Sequence, residues 1–327
     1  MQPKGLTIVV EQDAVRIGER FAVTFQRTLR IPDDGGTYPL PPGLGRFPVC
    51  RVADYADRVP AAWRARGGVF IPMYQREALW LGFDAAWWKP NAVQIAVGGV
   101  NAISGTAWEE GLSAEPQNYI VCPDQPWLDG INAGDGFIRQ FLAMPLGLGY
   151  TVEAQLTGAE EFGGIQIRVY EPKPGRFPEQ PPPRPAVPEQ AMAALAPEGE
   201  MGLAAGGKMK QKIYPDPYGL DTWDPEHGGS VFVHIVNSEQ YQALTGHEPP
   251  PTPISAKTYT DYGLPWFDLY DEELGDIAGS EKLAQVKTVR EKDAERKGAA
   301  EQPGDESVEV DPEQVRKLKP PTSEKLH

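Results

Sequence analysis

Cysteine and histidine are scarce in this chain, and each scarcity closes off chemistry. Two cysteines in 327 residues, Cys50 and Cys122, cannot build a structural zinc site unaided and form no disulfide framework. They read as two reduced thiols, with Cys122 the more buried because it closes the apolar run Tyr119–Cys122. The four histidines are His227, His234, His247 and His327. His234 falls inside a strand-like run and His327 ends a charged tail, so a general base has few candidates. No GxSxG elbow, P-loop or helix-opening GxGxxG is present, and no cofactor is implied. No apolar stretch approaches the roughly 18–20 residues that cross a bilayer. The run Leu6–Val10 is too short for a signal-peptide core and reads as a first strand, so the expected location is cytoplasmic. Basic residues are outnumbered, 31 against 46 acidic, for a net charge of −15. That balance argues against nucleic acid or an anionic membrane as a partner.

Proline and glycine, by contrast, are abundant. Gly 35 and Pro 34 make up about a fifth of the chain, which excludes a helical bundle over most of its length. Leu6–Ile31 alternates apolar and polar residues, and similar runs recur at Gly68–Ile71, Met73–Phe83, Ala92–Ile103, Tyr119–Cys122, Phe137–Met144, Tyr150–Leu156 and Gly164–Tyr170. Many short alternating runs between Gly/Pro turns predict a mainly β fold, an antiparallel sandwich or barrel-like body. Ile31–Phe47 reads as a long loop, and Val52–Arg66 as a short helix or two turns split by Pro60.

Four segments follow from composition. Residues 1–171 form the β-rich body. Residues 172–210 form a proline-rich linker, with nine prolines between Pro172 and Glu200. It carries a PxxP at Pro182–Pro185 around Arg184 and a short helix over Glu189–Leu195. Residues 211–276 supply a strand at Ser230–Val236, a helix capped by Ser238, and an aromatic segment, Lys257–Tyr270, that packs on the body. Residues 277–327 carry ten Lys/Arg, eleven Asp/Glu and no aromatic, and read as a largely disordered tail with a solvated helix over Glu281–Lys297.

Three places could carry chemistry. Asp216, Asp221, Asp224, Glu226 and His227 lie within twelve residues. Asp216, Asp221, Asp224 and His227 could ligate a divalent cation, and Asp224, Glu226 and His227 could act as acid and base. Pro217 and Pro225 favour a plain surface loop instead. Asp129–Gly136 has the composition of a calcium loop but fails its register at Ile131 and Ala133, and reads as a tight turn. The eight tryptophans supply the third. Trp87, Trp88, Trp127, Trp223 and Trp266 are the candidates for a binding or assembly face, with one of the adjacent pair Trp87–Trp88 expected outside.

The blocks CPDQPWLDGINAGDGFIRQFLAMPLG and DPYGLDTWDPEHGGSVFVHIVNSEQYQALTG, within Met73–Tyr170 and Lys212–Glu273, resemble an uncharacterised family of bacterial and fungal β-rich proteins. We associate that family with octin, which builds intracellular crystals in a fungus. The resemblance implies a β-rich, self-assembling, non-catalytic protein and carries over no functional residue. The expected function is therefore a self-assembling structural or binding protein whose partner is a second copy of itself. The alternative is a carbohydrate-binding module or glycoside-acting enzyme, with a glycan ligand in a cleft of tryptophans and carboxylates.

Overall fold

Period-two alternation places Val23 and Phe25 on the same side of one strand, and Leu79, Leu81 and Phe83 on the same side of its neighbour. The computed structural model, which describes residues 5–109, 111–134, 136–183, 201–268, 275–297 and 306–317, is mainly β, with 39% strand and 17% helix. Ten strands carry the argument: β1 (Ile8–Glu11), β2 (Ala14–Ile17), β3 (Phe21–Thr28), β4 (Val69–Pro72), β5 (Ala78–Ala85), β6 (Asn91–Val97), β7 (Phe137–Pro145), β8 (Ile165–Pro172), β9 (Met201–Lys210) and β10 (Trp223–Val236). One layer runs β1–β2–β3–β5–β7–β9, every neighbour antiparallel. The other runs β4–β10–β8–β6, with only the β4–β10 pair parallel. Met201 pairs with Ile235, and Leu6, just before β1, donates to the Gly228 carbonyl of β10 at 3.0 Å; these contacts join the layers into a continuous sheet that folds over itself without closing into a barrel.

The inner faces share one core: Val23 and Phe25 of β3, Leu79 and Leu81 of β5, Val93 and Ile95 of β6, Ile165 and Ile167 of β8, Val231 and Val233 of β10. Apolar burial of this kind contributes roughly 1.5–3 kcal/mol per large side chain, so the sandwich interior holds the fold. A charged pair is buried within one layer, between β3 and the residue that precedes β5. Arg27 of β3 donates Nε to Glu77 Oε1 at 2.7 Å and Nη2 to the Pro251 carbonyl at 3.2 Å, and burial pushes the Glu77 carboxyl up despite its partner. Among the described residues no helix is long and apolar enough to cross a membrane.

Several expectations are corrected. Tyr150–Leu156 is not a strand: Thr151 caps the helix Val152–Thr157 by accepting the Ala154 N–H at 3.1 Å, and Gly158 ends it in the left-handed region. The linker stops short of 201, because β9 lies in the sheet beside β7. Its small residues hid it. A Cβ on Gly206 would sit 2.9 Å from Leu142 Cγ, and one on Gly207 would overlap the Pro32 carbonyl, so close packing selects glycine where strands ordinarily carry branched residues. Ile31–Phe47 contains two short strands, Thr37–Tyr38 and Gly43–Arg46. Asp129–Gly136 is mostly strand, with the turn confined to its end at Gly136, before Phe137. Gly130–Gly134 pairs with β7, and Gly130 admits the Arg139 carbonyl where a side chain would collide. Asn237, not Ser238, caps the helix Ser238–Thr245.

The segment from 277 is ordered against the body through Lys297. Helices Glu281–Ala284 and Val289–Lys297 bury Leu283, Val286 and Val289 against the sandwich. Asp293 accepts the Tyr150 hydroxyl at 2.7 Å and Arg76 Nη2 at 2.6 Å. Three apolar residues in a charged run suffice to dock it. The aromatic segment does pack on the body: Trp266 is fully buried between Tyr38 and Tyr259, and its strand Trp266–Asp268 pairs with Val315–Lys317. The Glu189–Leu195 helix and the Arg184 and Pro185 of the PxxP lie outside the described residues, as does the chain beyond Lys317.

Candidate functional site

Asp216 is held by its surroundings rather than offered to a ligand. One carboxylate oxygen accepts the Tyr119 hydroxyl at 2.5 Å and the Trp223 indole N–H at 2.9 Å, and the other accepts the Tyr218 N–H at 2.8 Å. Those bonds pin the start of β10 to the outer face of the β6 layer, where Trp223 packs with Tyr119 and Tyr170. Asp221 lies at the surface and pairs with Lys173 at 2.6 Å and with Arg176, which together hold its carboxyl below the ordinary range. The remaining three are in β10, not in a loop. Between the pairs Tyr170–Gly228 and Pro172–Trp223, the strand makes an excursion of four residues, Asp224 to His227, against a single residue opposite. Asp224 accepts the Glu226 N–H at 2.9 Å and meets His227 Nδ1 at 2.7 Å. Partial burial opposes ionisation of Asp224, but those two partners outweigh it and hold the carboxyl low. A group held ionised in this way suits a turn better than a proton donor. Among the described residues no cluster of three or more His, Cys, Asp or Glu side chains could hold a metal ion.

The tryptophans divide. Trp223 and Trp266 are core residues and present no face to a partner. Trp127 is partly buried against the main core. Trp87 and Trp88 form an edge-to-face pair, ring centres 6.0 Å apart, both half-buried. They occupy a turn after β5 rather than adjacent strand positions, so the expected inside–outside alternation does not apply.

Two further perturbed groups lie elsewhere. Asp129 is fully buried beside Trp127 and Gln211, and burial pushes its carboxyl up to about 7, with no hydrogen-bond partner for Oδ2 among the described residues. His234 donates Nε2–H to the Gly67 carbonyl at 3.0 Å, stacks on Trp63 at 4.4 Å, and is pushed down to about 4 by burial. A cleft of about 380 Å³, lined by Asp33, Arg139, Lys208, Arg290 and Glu291, marks the seam where Val289–Lys297 meets the body. Its charges are engaged in that docking: Arg290 Nη1 donates to the Asp33 carbonyl at 2.8 Å and Glu291 accepts the Thr288 N–H at 2.7 Å.

One feature escaped sequence reasoning, which identified β1 as a strand but not as an edge. Among the described residues β1 pairs only with β2. Ile8 and Val9 are 39% and 40% exposed, and Val10 is half-buried. The strand carries one charge, on Glu11, which pairs with Arg16 at 3.1 Å. Lysines, prolines or bulges ordinarily blunt such an edge, and Ile8–Glu11 has none. Only the pairing map reveals this, because a strand's position in its sheet is set by contacts distant in sequence. In comparisons with protein-family models, curated proteins and solved structures, the chain finds no match.

Proposed function

We propose that this protein is a non-catalytic structural or binding protein that associates with copies of itself through its β-rich body. The observation that carries the reading is the apolar, uncharged run Ile8–Val10 on an unprotected sheet edge. The carboxylates nominated for metal or acid–base work support it in a second way, since Asp216, Asp221 and Asp224 serve strand and turn geometry. The proposal includes a reducing, cytoplasmic setting, in keeping with Cys50 and Cys122 both being free thiols. Light scattering of purified protein across a dilution series tests the reading. Mass that rises with concentration is expected, and a monodisperse monomer at every concentration would overturn it.

A further inference from the structure

The β1 edge also determines how a second copy would sit on it. The hairpin β1–β2 turns through two residues, Gln12 and Asp13, both at positive φ (47° and 60°), so Glu11 and Ala14 form the hydrogen-bonded pair that closes the turn. Bonded and non-bonded pairs alternate from there. Val9 with Arg16 is bonded, and Thr7 continues the series by accepting the Gly18 N–H at 2.8 Å. The even-numbered residues must then aim their N–H and C=O groups away from β2. Leu6 confirms it, donating outward to the Gly228 carbonyl of β10 at 3.0 Å. Beyond Leu6 the outward groups belong to Ile8 and Val10.

Three antiparallel registers bring a second β1 onto this edge with its outward groups facing. Pairing Ile8 with Ile8 places Val10 opposite Leu6, whose N–H is already taken by Gly228. Pairing Val10 with Val10 places Ile8 opposite Gln12, inside the turn. Pairing Ile8 with Val10 bonds the outward groups of Ile8 and Val10 in both strands, leaves Leu6 to Gly228, and places Thr7 opposite Glu11, with no like charges facing. Leu6 and Val10 already pack against the core, so this register extends the inner apolar face of the sandwich from one copy into the next. A chain of net charge −15 repels its copies, and the contact falls where the only carboxylate on the strand is neutralised by Arg16.

We infer that two copies pair antiparallel, β1 to β1, about a two-fold axis through Val9. The inference rests on the self-association reading and specifies its partner surface. In this register the two Val9 residues form a non-bonded pair, with Cα atoms roughly 4.5 Å apart, within the span of a disulfide. The two Ile8 residues lie on a diagonal of about 7–8 Å, beyond that span. In a Cys50→Ser background, Val9→Cys should therefore form a disulfide-linked dimer under mild oxidation at least tenfold faster than Ile8→Cys. Val10→Pro supplies an independent readout: it deletes an outward N–H and leaves the bonded pairs of the hairpin intact, as edge prolines do. It should raise the concentration at which mass increases in scattering at least tenfold. Assembly in scattering without preferential Val9→Cys crosslinking would overturn the register and leave self-association standing. A Val10→Pro chain that assembles like the parent would overturn it equally. Absence of both assembly and crosslinking would overturn both readings and leave the edge to a strand from a different protein.

Discussion

Asp129 is the residue whose ionisation most directly tests the core. Its carboxyl stands at about 7 in the folded chain against about 3.8 unfolded, because burial beside Trp127 and Gln211 penalises the charge. A raised folded value means the native state binds the proton more tightly. The stabilisation is therefore complete below pH 4 and is lost as pH rises through 7. Asp129→Asn, neutral throughout, should gain on the parent above pH 7 and flatten its urea-midpoint profile between pH 5 and 8. His234 runs the other way. Its folded value of about 4 lies below the ordinary 6.5, so its contribution is complete above pH 6.5 and drains as pH falls through 4, by roughly 3 kcal/mol. His234→Phe keeps a ring against Trp63 and should remove that acid loss, read from urea unfolding at pH 7 and pH 4.5. The thiols differ by burial: Cys122 is fully enclosed and donates to the Gln125 carbonyl at 3.3 Å, while Cys50 is half-exposed near the Tyr241 hydroxyl. Cys50 should alkylate well ahead of Cys122 in the native protein, as mass spectrometry of timed aliquots would show.

At the scale of elements, the helix Val289–Lys297 shows how a charged segment docks. It has little apolar surface of its own, and Val289 with the Asp293–Tyr150–Arg76 network supplies the attachment. Asp293→Ala leaves the Tyr150 hydroxyl and Arg76 without their acceptor. It should cost about 2 kcal/mol locally. Hydrogen exchange is the measurement: amides of 281–297 should lose protection while those of β6 and β8 keep theirs. Most body strands were legible because their inward residues alternate, as at Val23–Phe25 and Ile165–Val169. Where alternation came without branched or aromatic residues, as in β9, or with a helix cap in front, as at Thr151, it misled. In β9 the disagreement has a steric source. Gly202, Gly206 and Gly207 are in β9 because neighbouring chains pass too close for a Cβ, a constraint that local propensity does not record.

For the whole molecule, the excess of 15 negative charges opposes association between copies. Screening by salt should therefore lower the concentration at which mass rises in scattering, since the proposed β1 contact is apolar and backbone-mediated. A contact weakened by 0.5 M salt would place assembly on charged surfaces instead.

Composition alone determined the class. Proline and glycine at a fifth of the chain exclude a helical bundle, and alternating runs between turns leave a sandwich as the way to bury one face of each strand. Only the tertiary structure decided that Asp216 ties Trp223 to Tyr119, that Trp266 lies in the core, and that the Ile8–Glu11 strand is left at an edge. Tyr119 and Asp216 are 97 residues apart, and Tyr38 and Trp266 are further apart still. A local window records what a residue prefers, and its neighbours across the fold decide what it touches.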